Sequence, residues 1–253
     1  MELKQEYERQ ASGEPPEQPA ITLMDHSISR RSFMQAILAV PAVSVIGCDT
    51  HTRDADTVPA FFSAAERQFV EAATERLIPS EDTGAGAKEA AVAVFIDRQL
   101  AGPYGRAETW YMQGPWQQGI PEQGYQLKLT PAQVYRAAIR NLDDYCRRTY
   151  ANKTFAELVH ADQDKTLHGL EQGSIELADV PAKEFFDMLR QNTVEGFLAD
   201  PMYGGNRNFT GWKLIGFPGP RYNYSNEITQ YGKPYTLPTV GLMGRDGSII
   251  GRV

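Results

Sequence analysis

The groups in this chain able to do chemistry are few and scattered. There are two cysteines, Cys48 and Cys146, and four histidines, His26, His51, His160 and His168. A thiol acts as a nucleophile when a neighbouring base or cation favours the thiolate. Cys146 lies in YCRR within a helical pattern, where a small buried residue is the better reading. His160 and His168 have no cysteine or carboxylate at a zinc-binding spacing beside them, and they read as surface or capping residues. The adjacent carboxylates Asp143 and Asp144 project about 100° apart on a helix and do not converge on one substrate. Glu75, Glu81 and Asp82 read as a solvated rim. No G-x-G-x-x-G follows a strand, no G-x-S-x-G occurs, and no C-x-x-C-H offers covalent haem attachment. The expectation is therefore no catalytic residue, no bound cofactor and no metal.

The bulk properties agree with a folded, globular chain. At 253 residues, with 42% hydrophobic and 10% aromatic side chains, it has the composition of one good-sized globular domain. A net charge of −7 and an isoelectric point near 5.2 argue against nucleic acid, since no basic stripe faces phosphates. Two cysteines make no disulfide framework.

The first part of the chain reads as an address. Residues 29–34, SRRSFM, place Arg30, Arg31 and Phe33 as in a twin-arginine export signal. The uncharged run FMQAILAVPAVSVIG, residues 33–47, is shorter than the roughly 20 residues a membrane span needs, and it suits a signal h-region. It ends in VIGC, similar to a lipobox with Cys48 as the lipidated residue; the alternative is an ordinary cleavage site beside a stray cysteine. Lipidation would anchor the chain without a helix, and Asp49 would favour retention at the inner membrane in enteric-type bacteria. Met24 offers a second start, so residues 1–23 read as an over-extended beginning of a 1–47 signal region. Residues 48–60 are polar and serve as a tether.

From residue 61 to 253 the pattern predicts one all-α domain with a bundle-like arrangement of helices. Ser63 with Glu66 caps the first, which Pro79 stops, and Phe62, Phe69, Ala73 and Leu77 share a face. A second helix is predicted over GAGAKEAAVAVFIDRQL, residues 84–100, with Ala91, Val94, Phe95 and Ile96 inward and Lys88, Asp97 and Arg98 outward. Residues 102–129 read as a long ordered loop. Thr130, Pro131 and Gln133 start a helix through Tyr135, Ile139, Leu142 and Tyr145 to about Tyr150. Thr154 and Glu157 cap a short one, a helix closes at Gly173, and Pro181 opens the last long helix, with Phe185, Leu189 and Phe197 inward. A hairpin is predicted about Asp246-Gly247, after a long irregular Gly/aromatic-rich C-terminal segment.

That segment, DPMYGGNRNFTGWKLIGFPGPRYNY at 200–224, is neither a P-loop nor a dinucleotide fingerprint. With ERLIPSEDTGAGAKEAAVAVFIDRQLAG at 75–102, GPWQQG at 114–119 and the block 185–222, it resembles the gluconate 2-dehydrogenase subunit 3 family over roughly residues 61–235. The resemblance implies a small subunit that binds no cofactor itself. Its partners would be a large flavoprotein of the glucose–methanol–choline class, holding FAD, and a cytochrome c subunit holding haem. The complex would sit in the periplasm at the inner membrane. Folded-state export explains the signal, because FAD is inserted in the cytoplasm.

On this basis Tyr203, Gly204, Gly205, Asn206, Arg207, Trp212, Phe217 and Tyr222, together with Trp110 and Trp116, are the candidate docking surface for the flavoprotein. The alternative is that the segment wraps the chain's own helices. Asn208 stands where the family often has aspartate, and the tail from Leu237 to Val253 has no counterpart in the resemblance. Two other readings compete: an independent enzyme around His160, Cys146 and the aromatic loop, and a periplasmic lipoprotein unconnected with redox chemistry.

Overall fold

The computed structural model describes residues 59–242 apart from residue 118. The export motif, Cys48 and the Asp246-Gly247 hairpin lie outside the described residues. Within them six α-helices and no strand occur: α1 Ala64–Leu77, α2 Val92–Ala101, α3 Pro131–Thr149, α4 His160–Glu171, α5 Ala182–Leu198 and α6 Thr210–Ile215. The all-α expectation holds there.

Helix starts follow the local chemistry. The Ser63 hydroxyl accepts from Glu66 N while the Glu66 carboxylate accepts from Ser63 N at 2.7 Å. Thr130 and Gln133 make the same reciprocal box before Pro131, the first residue of α3. Each box satisfies two amide groups that a bare helix end leaves open. Thr154 and Glu157 repeat it ahead of a single 3₁₀ turn, Phe155–Glu157.

Helix α2 departs from expectation in two ways. It begins at Val92, eight residues later than the alanine-rich pattern predicts, because Ala91 adopts a left-handed conformation (φ 57°). Residues 86–91 instead form turns packed on the end of α1: Ala87 N donates to Ile78 O at 2.8 Å, and a Cβ on Gly86 would lie 2.5 Å from that same carbonyl oxygen. Asp97, expected outward, is buried. Its carboxylate accepts the amides of Ala60, Phe61 and Phe62 at 2.5, 3.0 and 2.8 Å, and so fixes the chain entering α1. Three donors compensate for taking this polar group out of water.

Helix α5 is the hub, packing against α1, α2, α3, α4 and α6. Phe185 meets the Tyr135 ring edge-on at 5.5 Å, and Phe69 packs on Phe155 at 4.8 Å. Leu77 and Tyr145, predicted inward, sit half-buried at the core margin. One polar chain crosses the core: Tyr104 OH donates to Asn192 Oδ1 at 3.2 Å, and Asn192 Nδ2 donates to Tyr135 OH at 3.0 Å. No helix among the described residues is long and apolar enough to cross a membrane.

Candidate functional site

The segment after α5 has no regular period, yet its backbone is closely determined. Asp200 caps a 3₁₀ turn, Pro201–Tyr203, with its carboxylate accepting from Met202 N at 3.0 Å. The chain then presses onto α5 where only glycine fits: a Cβ on Gly205 would stand 2.1 Å from Gly196 O, and one on Gly211 would stand 2.0 Å from Phe197 O. Gly204, at φ 101°, lies against the Arg98 side chain.

Asn206 is the centre of this arrangement. Its side chain is wholly buried; Nδ2 donates to Ala199 O at 2.8 Å, and Oδ1 accepts Gly211 N at 2.8 Å and Trp212 N at 3.4 Å. A single amide thus joins the last turn of α5 to the first turn of α6. Arg207 N donates to Ala90 O at 3.0 Å, tying the same point to the turns before α2. Asn206, Asn208 and Phe209 all have positive φ (45°, 57° and 58°). For Phe209 that conformation costs on the order of 1–2 kcal/mol, and burial of its ring offsets the cost.

Trp212 completes the frame. It is 5% exposed, its Nε1 donates to Leu198 O at 2.7 Å, and its ring stacks on Phe209 and takes Phe217 edge-on at 5.0 Å. The tail, for which the sequence offers no role, closes back here: Leu242 N donates to the second Asp200 oxygen at 2.7 Å, and Val240 N donates to Pro218 O at 3.3 Å.

The ten residues singled out from sequence therefore fall into different settings. Gly205, Asn206 and Trp212 are interior and offer no side chain to a partner; Gly204 is half-buried. Tyr203, Arg207, Phe217 and Tyr222 are at the surface, with Tyr222 fully exposed. Trp110 is half-buried, held edge-on between Tyr104 at 5.7 Å and Tyr125 at 4.9 Å, while Trp116 is 42% exposed. Sequence reasoning missed Met202, Leu214 and Ile215, all exposed, with Ile215 at 60%. The signal was present in TGWKLI: with Trp212 inward, Leu214 lies about 200° round the helix and must face out.

Among the described residues, groups able to do acid–base or nucleophilic work are not assembled. Cys146 is buried in α3, and burial pushes its thiol up to about 12, which leaves it protonated and inert. Asp143 is buried and accepts Phe155 N at 2.9 Å, whereas Asp144 pairs with Arg147 at the surface. His160 and His168 are exposed, and His168 Nδ1 lies 3.1 Å from Glu171. No group of three His, Cys, Asp or Glu side chains among the described residues is placed to hold a metal ion.

The family model for gluconate 2-dehydrogenase subunit 3 matches residues 64–219. The chain belongs to that family. The matched stretch holds all six helices and ends at Gly219, just beyond α6. Neither a curated protein nor a solved structure matches the chain. Family membership makes this a small subunit of the gluconate 2-dehydrogenase type, with dehydrogenase subunits as its partners.

Proposed function

We propose that this subunit 3 protein is the non-catalytic escort of an FAD-dependent dehydrogenase. In this reading it leaves the cytoplasm by the twin-arginine route with the folded flavoprotein bound, and then stabilises that subunit at the periplasmic face of the inner membrane. The observation that carries the reading is the rim of exposed apolar side chains, Met202, Tyr203, Leu214, Ile215 and Phe217, on the segment that Asn206 locks to α5. Surface of this kind is costly to leave in water and is characteristic of binding sites. A rigid base reduces the entropy lost on association. The flavoprotein of the glucose–methanol–choline class would supply FAD, and a cytochrome c subunit would supply haem. Attachment to the membrane would come through the complex or through a lipid on Cys48.

The test is affinity capture of the tagged chain from native membranes, with an absorbance spectrum of the eluate. Flavin bands with a large subunit in stoichiometric amount are expected, and both should disappear when Arg30 and Arg31 are replaced by lysine. Ile215→Glu with Phe217→Ser should lower flavoprotein recovery at least about tenfold while the chain still folds. Full recovery with that folded variant would remove this surface from the interface; a colourless eluate from the wild type would remove the escort role.

A further inference from the structure

The loop between α2 and α3 contains a cleft that the escort role does not use. Its volume is about 420 Å³, and its aromatic walls come from Trp110, Tyr111, Trp116 and Tyr125. Three primary amides, Gln113, Gln123 and Gln126, share the lining. None of its nine described lining residues is Asp, Glu, Lys, Arg or His, although 23% of the chain is charged and about two would be expected.

Part of this lining is rigid. Trp110 is clamped between Tyr104 and Tyr125, and the Tyr125 hydroxyl donates to Leu129 O, so one aromatic wall is fixed. Gln123 Oε1 accepts Ile120 N at 2.9 Å, and Gln126 Nε2 donates to Gln123 O at 3.0 Å. These bonds use an acceptor of Gln123 and a donor of Gln126, leaving the Gln123 amide nitrogen and the Gln126 carbonyl for a ligand. Trp116 and Tyr111 stay open to solvent on the other side.

We infer that this cleft binds a neutral saccharide. A sugar ring has apolar C–H faces that lie against aromatic rings, and hydroxyl groups that both donate and accept, as primary amides do. The volume lies within the roughly 300–1,000 Å³ typical of small-ligand sites. A proline-rich peptide would use the aromatic walls as well, but proline has no N–H to satisfy the amide carbonyls. The uncharged lining disfavours a sugar acid, whose carboxylate would be desolvated without a cation. This inference goes beyond the escort role and is tested on the chain alone, so either can fail without the other.

The experiment is calorimetric and tryptophan-fluorescence titration of the purified full chain with D-glucose, cellobiose and D-gluconate, each to about 100 mM. Saturable binding of a neutral sugar is expected, with gluconate weaker. Trp116→Ala and, separately, Gln113→Ala should each weaken binding about tenfold with the melting temperature unchanged. No saturation by either neutral sugar would overturn the inference, as would equal affinity in both variants or tighter binding of gluconate. Saturation by a deca-proline peptide with no sugar response would make the cleft a peptide groove instead.

Discussion

Two irregular regions of this protein look alike in sequence and are built in opposite ways. Residues 102–129 and 200–217 are both rich in glycine, proline and aromatic side chains and both lack a helical period. The later one is fixed by a buried amide with three hydrogen bonds and by glycines in van der Waals contact with α5. The earlier one is pinned only at its start, by backbone turns over residues 102–110 and by Gly105 pressed on Leu100 O. Beyond that it is held by ring contacts at Trp110 and by the Tyr125 hydroxyl, and much of it faces water. Irregular backbone is therefore not loose backbone. What matters is whether its polar groups find partners inside the protein.

The sharpest way to break this contrast is Asn206→Ala. Removing a buried amide strands two backbone N–H groups and one carbonyl, at about 1–3 kcal/mol for each unsatisfied group. A fall in melting temperature of roughly 10 °C or more is expected by differential scanning calorimetry. An effect under 2 °C would mean the segment is held by something other than Asn206. Trp212→Phe keeps most of the ring but loses the bond to Leu198 O, and should cost about 1–2 kcal/mol by chemical denaturation. In the other region Trp116→Ala should change stability by no more than about 0.5 kcal/mol, as for surface substitutions generally.

The last effect expected is confined to alkaline pH. Burial is the main cause raising the Tyr125 phenol above its ordinary value. The folded state therefore holds its proton more tightly than the unfolded chain, whose tyrosine titrates near pH 10. Tyr125 contributes fully below that pH and loses its contribution as pH rises beyond it. Tyr125→Phe should flatten the loss of stability above pH 10 without abolishing it, since burial also raises Tyr104 and Tyr135. An unchanged alkaline slope would show that Tyr125 titrates as in the unfolded chain.

Much of the helical frame was readable because its signals are local. Ser63 with Glu66, Thr130 with Gln133, and Thr154 with Glu157 each lie three residues apart and act on one another. The start of α2 was not, because KEAAVAVF has every local reason to be helical and is bent by contact with the end of α1. Asp97 failed similarly: its three donors come from residues 60–62, a convergence that only the tertiary fold creates. At the candidate site, composition singled out residues 200–224 but does not say which side chains turn inward. Asn206 and Trp212 drew attention as residues typical of interfaces, yet their polar atoms are taken up by the chain's own backbone.

Because a single side-chain amide joins the end of α5 to the start of α6, the residues that shape the segment and those that face outward are different sets. Gly205, Asn206, Gly211 and Trp212 determine the path; Tyr203, Leu214, Ile215 and Phe217 only ride on it. Selection can therefore act on the two sets separately. With the outward set as the docking surface proposed above, that set would be free to drift in step with a changing partner while the path stays constant, and one small frame would serve dehydrogenases that differ in substrate without having to be folded anew.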